Sequence, residues 1–165
     1  MESIGVQWWI LYGEIFFCLI WIVYALDKHL NEIKKQVNSN EEYLEMAKGE
    51  GRKSFTFVLE AEPDKNAPEI RIGYIEDDGI IEDIWEGDRE TDFIIAGRYW
   101  NWVRILRGEL GPTKALTMRK LKLKRGSLIK LLRGSDSTVK WVEILRSIPT
   151  EFHGEYSQYS TGSGD

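Results

Sequence analysis

Acidic side chains crowd one stretch of this 165-residue chain: thirteen Asp and Glu fall between Glu60 and Asp92, against Lys65, Arg71 and Arg89. Neighbours such as Asp77 with Asp78, or Glu82 with Asp83, could bind a cation or work together as acid and base. Their density, and the hairpin signal of Asp77, Asp78 and Gly79, read instead as solvated turns. The segment GEGRKS at Gly49 to Ser54 has the glycines and lysine of a phosphate cradle, but its spacing is incomplete and a strand pattern follows where a helix is needed. It reads as a linker. His29 and His153 are the only histidines, and Cys18 the only cysteine, so neither a multi-histidine metal cluster nor an internal disulfide can be built. No catalysis, cofactor or metal is expected.

A net charge of -5 argues against a nucleic-acid partner, because a phosphate-binding surface needs a net supply of Lys and Arg. The bases are nevertheless segregated. Lys114, Arg119, Lys120, Lys122, Lys124, Arg125, Lys130 and Arg133 occur with no acid between them. Lys120, Lys122, Lys124 and Arg125 could face anionic lipid head groups, at about 1 kcal/mol for each base near such a surface. The same alternation also describes a solvated strand face, or a sheet edge guarded against aggregation.

The elements that must position these groups follow from apolar periodicity. Leu26, Leu30, Ile33 and Val37 recur at helical spacing, with Asn38 ending the helix. Ser39 with Glu42 reads as a capping box for a second helix through Lys48, stopped by Gly49 and Gly51. The period then becomes two. In Phe55 to Glu62, Phe55, Phe57, Leu59 and Ala61 face one side while Thr56, Glu60 and Glu62 face the other. Further strands are expected at Ile70 to Tyr74, Ile80 to Glu86, Phe93 to Arg98 and Lys120 to Arg125; the pairs Ile80/Ile81 and Ile94/Ile95 leave the buried face of two of them open. A helix is expected over Tyr99 to Leu110, a short one around Leu128 to Leu132, and a capped one from Ser137 to Ile148, closed by Pro149. The domain spans 27–152, and 153–165 is expected to be a disordered tail.

Before the domain, Ile4 to Leu26 runs 23 positions with Gln7 and Glu14 as its only strongly polar side chains, long enough to cross a bilayer as a helix. A carboxylate near the bilayer centre costs roughly 3 kcal/mol, which ten Leu, Ile, Phe and Val at about 0.3 to 0.6 each roughly offset. Lys28, Lys34 and Lys35 on the C-terminal flank would place the domain in the cytoplasm, tethered to the inner face of the cell membrane through residues 4–26. A helix packed on the domain or on a second copy, or a stretch upstream of the true start, fits the same residues.

Four words in the chain, in order, carry a family resemblance: NSNEEYLEMAKG (Asn38 to Gly49), FTFVLEAEPD (Phe55 to Asp64), GRYWNWVRILRGELGPTKAL (Gly97 to Leu116) and KLKLKRG (Lys120 to Gly126). Together they resemble the sterol carrier protein domain. Arg119 stands where that family often has a glycine, and Arg125 looks like an added residue before Gly126, so the end of this strand is expected to bend differently. The resemblance implies an α+β fold with a five-stranded, mostly antiparallel sheet, helices on one face, and a hydrophobic tunnel between them for a sterol, fatty acyl chain or similar lipid. Read with that fold, the core-facing set is the candidate lining: Phe57, Leu59, Ile72 and Tyr74 from the first strands, Trp102 and Leu106 from the middle helix, Leu121 and Leu123 from the fifth strand, and Leu128, Leu132, Trp141 and Leu145 from the last helices. Apolar stripes of this kind are also ordinary core. Three functions stay open: a lipid carrier or presenter, a non-catalytic accessory holding an apolar substrate for a separate lipid or quinone enzyme, and an interaction or dimerisation domain with a filled core.

Overall fold

The computed structural model describes residues 27–161, so the apolar stretch from Ile4 to Leu26, and with it the anchor expectation, lies outside the described residues. Among the described residues no helix is long and apolar enough to cross a membrane. Helix α1 (27–38) buries Leu30, Ile33 and Val37, and the Asn38 side chain that follows pairs with both backbone groups of Ile81, at 3.0 and 2.7 Å. Helix α2 (Glu41–Ala47) is capped by Asn40 rather than by Ser39, since it is Asn40 that takes the extended conformation and accepts from the Tyr43 N–H at 2.9 Å. Ser39 instead donates to the Gln36 carbonyl.

Strands β1 (Arg52–Glu60), β2 (Ile70–Asp77), β3 (Ile80–Glu86), β4 (Phe93–Arg98) and β5 (Leu121–Arg125) form one mixed sheet in the order β3-β2-β1-β4-β5. Only the central pair, β1 with β4, is parallel. The β2–β3 turn puts Asp78 and Gly79 at φ 46° and 84°, the two positive values that a type I′ hairpin needs. The Asp78 carboxylate accepts the N–H groups of Gly49 and Gly51, tying the hairpin tip to the α2–β1 link. Asp78 thus has a structural task.

Register fixes which side chains share a face. Phe57 pairs with Ile72 and Ile95, and Phe55 with Tyr74 and Phe93, so these rings and aliphatics stand together under the helices. In the two ambiguous pairs, Ile81 and Ile95 are the buried members, while Ile80 is exposed and Ile94 half-buried. The other sheet face is less polar than the alternation implies. Thr56 and Val58 are buried there, and the Trp85 indole lies over Gly73, where a Cβ would come within 2.5 Å of the ring. The Arg89 guanidinium caps that indole at 4.4 Å.

Helix α3 (Tyr99–Leu106) begins directly after β4, and the buried Glu62 carboxylate caps it by accepting from the Trp100 N–H at 2.7 Å. It is shorter than its apolar spacing implies, because Gly108 turns the chain at φ 81°; Pro112 then starts a separate helix, α4 (Pro112–Thr117), that periodicity did not reveal. Helices α5 (Leu128–Arg133) and α6 (Ser135–Ser147) follow β5. The expected disordered tail is corrected as far as Thr161: Gly154–Tyr159 form a 3-10 helix, and Thr150 and Thr161 exchange backbone hydrogen bonds. Aromatic burial accounts for this order, with Tyr156 stacked between Tyr99 and Trp100 at 5.4 Å from each.

The two departures, Arg119 just before KLKLKRG and Arg125 within it, have structural counterparts. Arg119 sits at φ 56°, in the left-handed region that favours glycine. Between Ile95, paired with Leu123, and Ile94, paired with Arg125, the ladder skips Lys124, which is a bulge. Arg119→Gly is expected to stabilise the domain by about 1 kcal/mol, since a side chain at this φ costs roughly 1–2. The urea midpoint measures it; an unchanged or lower midpoint would mean that Arg119 makes compensating contacts.

Candidate functional site

Between the inner sheet face and the helices lies an apolar cavity of about 190 Å³. The sheet contributes Phe57, Leu59, Ile72, Tyr74 and Leu121 to its wall, α3 adds Trp102 and Leu106, α5 adds Leu132, and α6 adds Trp141 and Leu145. Ten of the twelve lining candidates are therefore on this wall. Two are not. Leu123 packs half-buried against the core beside the cavity, and Leu128 is 48 % exposed, because the first residue of α5 after its Ser127 cap points outward.

Aromatic rings form one part of the wall. Phe57 meets Trp102 and Trp141 at 5.4 Å each, and Tyr74 stacks on Trp141 at 5.3 Å. Trp102 is fixed by its indole N–H, which donates to the Val58 carbonyl at 3.0 Å. The buried Trp141 N–H has no acceptor among the described residues.

The sequence reading missed a polar stretch of the wall. His29 from α1, with Thr150, Glu151 and His153 from the segment after α6, also line the cavity. Burial depresses the His29 pKa, against the pull of the Glu151 carboxylate. His153 Nδ1 lies 3.0 Å from the Tyr99 hydroxyl, which also accepts from the His153 backbone N–H. A signal for His29 existed, since it lies one turn before Ile33 on the stripe of α1; nothing periodic marks Thr150 to His153.

A buried polar network holds α6 against the sheet. Ser137 of α6 donates to Glu50 at 2.7 Å, Glu50 pairs with Lys53, Lys53 reaches Glu76 at 3.3 Å, and Glu76 accepts from the Tyr43 hydroxyl at 3.0 Å. Outside it, Lys140 pairs with Glu42, and Arg146 donates to the Ile105 carbonyl at 2.8 Å. Burial raises the Glu76 pKa against the opposing pull of Lys53 and Tyr43, and burial and the neighbouring carboxylates raise that of Tyr43.

Of the basic candidates, Lys120, Lys122 and Lys124 are exposed, and Arg125 pairs with Glu90 at 2.8 Å. Among the described residues no cluster of three or more His, Cys, Asp or Glu could hold a metal ion.

A family model described as the SCP-2 sterol transfer family matches residues 30–131. No curated protein matches the chain. A crystal structure of sterol carrier protein 2 is similar over 73 % of this chain and 95 % of its own, with 22 % identity and a TM-score of 0.67. The solution structure of a conserved hypothetical protein from Thermus thermophilus is similar over 83 % and 90 %, with 19 % identity and a TM-score of 0.64. Both are likenesses of fold.

The raised Glu76 pKa has a testable sign. Above the ordinary value of 4.5 the folded chain still holds a proton that the unfolded chain has lost, so the stabilisation present below 4.5 fades as pH rises through the folded value. Urea unfolding of the wild type and of Glu76→Gln, followed from the ordinary value of 4.5 upward to neutral pH, should show the wild type losing stability relative to the variant as pH rises. A relative gain would reverse the assignment.

Proposed function

This chain belongs to the SCP-2 sterol transfer family, and from that membership and the cavity we propose that it binds a lipid beneath the sheet and carries or presents it without covalent chemistry. The observation that carries the reading is the wall itself, where residues of the sheet, α3, α5 and α6 make a mostly apolar lining with a polar stretch at His29, Thr150, Glu151 and His153. Each methylene moved there from water contributes about 0.8 kcal/mol, and a chain of about 16 carbons could gain on the order of 12 before ordering costs are subtracted. A ligand oxygen near Trp141 would supply the acceptor its indole N–H lacks.

Ligand sites for drug-sized molecules run to about 300–1,000 Å³, and the cavity is near 190 Å³. A long lipid therefore needs a wall to move. Helix α6 is the wall best suited to this, because it follows the sheet in sequence; besides the apolar face of Trp141, Val142 and Ile144, its polar ties to the rest of the domain include Ser137 to Glu50, Lys140 to Glu42 and Arg146 to Ile105. A tether formed by residues 4–26 would restrict the domain to lipids within its reach and favour local extraction or presentation over long-range shuttling.

Native mass spectrometry of the gently purified chain should reveal a co-purified lipid, and Leu145→Trp, which fills the cavity, should weaken binding of a fluorescent fatty acyl probe at least about tenfold, or ~1.4 kcal/mol. Unchanged affinity in a folded Leu145→Trp variant would place the lipid elsewhere. No bound or bindable lipid at all would favour the filled interaction domain. Hydrogen exchange in α6 should slow when the probe binds; identical exchange with and without it would remove α6 as the moving wall. Transfer between vesicles without other proteins separates the carrier from the accessory.

A further inference from the structure

Large apolar side chains stand exposed at six described positions, and the one adjacent pair among them is Leu128 with Ile129, 48 % and 68 % exposed at the start of α5. Removing either from water is favourable, so the pair is a surface ready to be covered. Its surroundings indicate what covers it. Lys124, Arg125, Lys130 and Arg133 lie within five residues of it along the chain, and all four are exposed. Lys122 on β5, Arg119 and Lys120 in the turn before it and Lys114 in α4 extend the basic set back along the chain. Of these eight bases only Arg125 has an acidic partner among the described residues. In a chain of net charge -5, this is a local reversal of sign.

Two partners could neutralise such a set of bases. A nucleic-acid backbone offers phosphates but no place for an exposed Leu–Ile pair. The interface of an anionic bilayer offers both, with phosphates for the bases and acyl chains for the apolar tip. We propose that Leu128 and Ile129 insert into an anionic lipid surface while Lys124, Lys130 and Arg133 engage its phosphates. The docked face is also a wall of the cavity. Leu131 and Leu132 of the same short helix line it, as do Ser135 and Thr138 just past the Gly134 corner. Docking thus brings the α5–α6 corner against the membrane, where a lipid passes into the cavity without crossing bulk water. This last step rests on the lipid-holding reading above; the docking does not.

The test places a nitroxide on Ile129→Cys in the full chain, with Cys18→Ser leaving one thiol. With phosphatidylglycerol vesicles the label should become shielded from a water-soluble relaxant and accessible to oxygen. It should remain in water with phosphatidylcholine vesicles, and return to water in about 1 M salt, where charges are screened beyond about 3 Å. A label that stays in water with both lipids overturns the proposal. So does one already shielded without vesicles, which would mean that the chain's own apolar segment or a second copy covers the pair. Leu128→Ser with Ile129→Ser should slow lipid uptake from phosphatidylglycerol vesicles about tenfold and leave affinity for a dissolved acyl probe unchanged. If the unsubstituted chain binds no acyl probe, the cavity reading fails while the label still decides the docking.

Discussion

The arrangement depends on Phe57, at the middle of the central strand, standing between two tryptophans. Trp102 and Trp141 both meet it at 5.4 Å, so α3 and α6 rest on the sheet through three rigid rings. Rings of that size keep a helix layer off a sheet where shorter side chains would let it close. Beside the rings, aliphatic residues such as Leu59, Ile72, Leu106 and Leu145 line space they do not fill. Trp102 is tied by its hydrogen bond to Val58, whereas the Trp141 N–H has no acceptor among the described residues and the ring is placed by stacking on Phe57 and Tyr74. The hydrogen-bonded one belongs to the helix that follows β4 directly, and the stacked one to α6.

A partly buried network from Tyr43 to Ser137 adds a polar tie between α6 and the sheet. Burying the Glu76 carboxylate costs free energy that the contacts of Lys53 and Tyr43 only partly offset, which is why its pKa rises. A hydrophobic pair could have filled this space at lower cost. The polar chain instead ties α2, β1, β2 and the start of α6 together through directional bonds, which add direction to the apolar seating of Trp141, Val142 and Ile144.

Strand periodicity carried much of this into the sequence. The alternation around Phe57, Ile72 and Leu121 identified the inner face, and the hairpin at Asp78 and Gly79 identified the pairing of β2 with β3. What escaped was whatever depends on a contact distant in sequence. Thr56 is buried beside Gly73, which Trp85 of β3 covers, and its hydroxyl meets that of Thr91 at 2.8 Å; alternation cannot express either contact. Tyr156 is ordered by Tyr99 and Trp100, far earlier in the chain, while its own neighbours are the serines and glycines of an expected loose tail. Leu128 looked like lining because it shares helical spacing with Leu131 and Leu132, yet in a helix of six residues one position decides whether a side chain faces the core. His29 lay on a legible stripe, but its meeting with Glu151 required the segment after α6 to fold back.

Strand order also turns a feature of the sequence into one of the molecule. The acids Glu82, Asp83 and Glu86 lie on β3 and the bases Lys122, Lys124 and Arg125 on β5; in the order β3-β2-β1-β4-β5 these strands are opposite edges of the sheet, while Glu90 of the β3–β4 link crosses to pair with Arg125. The domain therefore carries a charge asymmetry across its width, with α5 and its exposed Leu128 and Ile129 beyond the positive edge. An anionic surface repels one edge and draws the other, which orients the domain before any contact forms. The negative net charge is compatible with approach to such a surface because the field at short range is set by the nearest edge, within a screening length of about 8 Å, and not by the sum over the chain. Bulging Lys124 out of the regular ladder at the end of β5 next to α5 places the strand's last irregularity beside the apolar pair, where a flat edge would otherwise invite another strand to add.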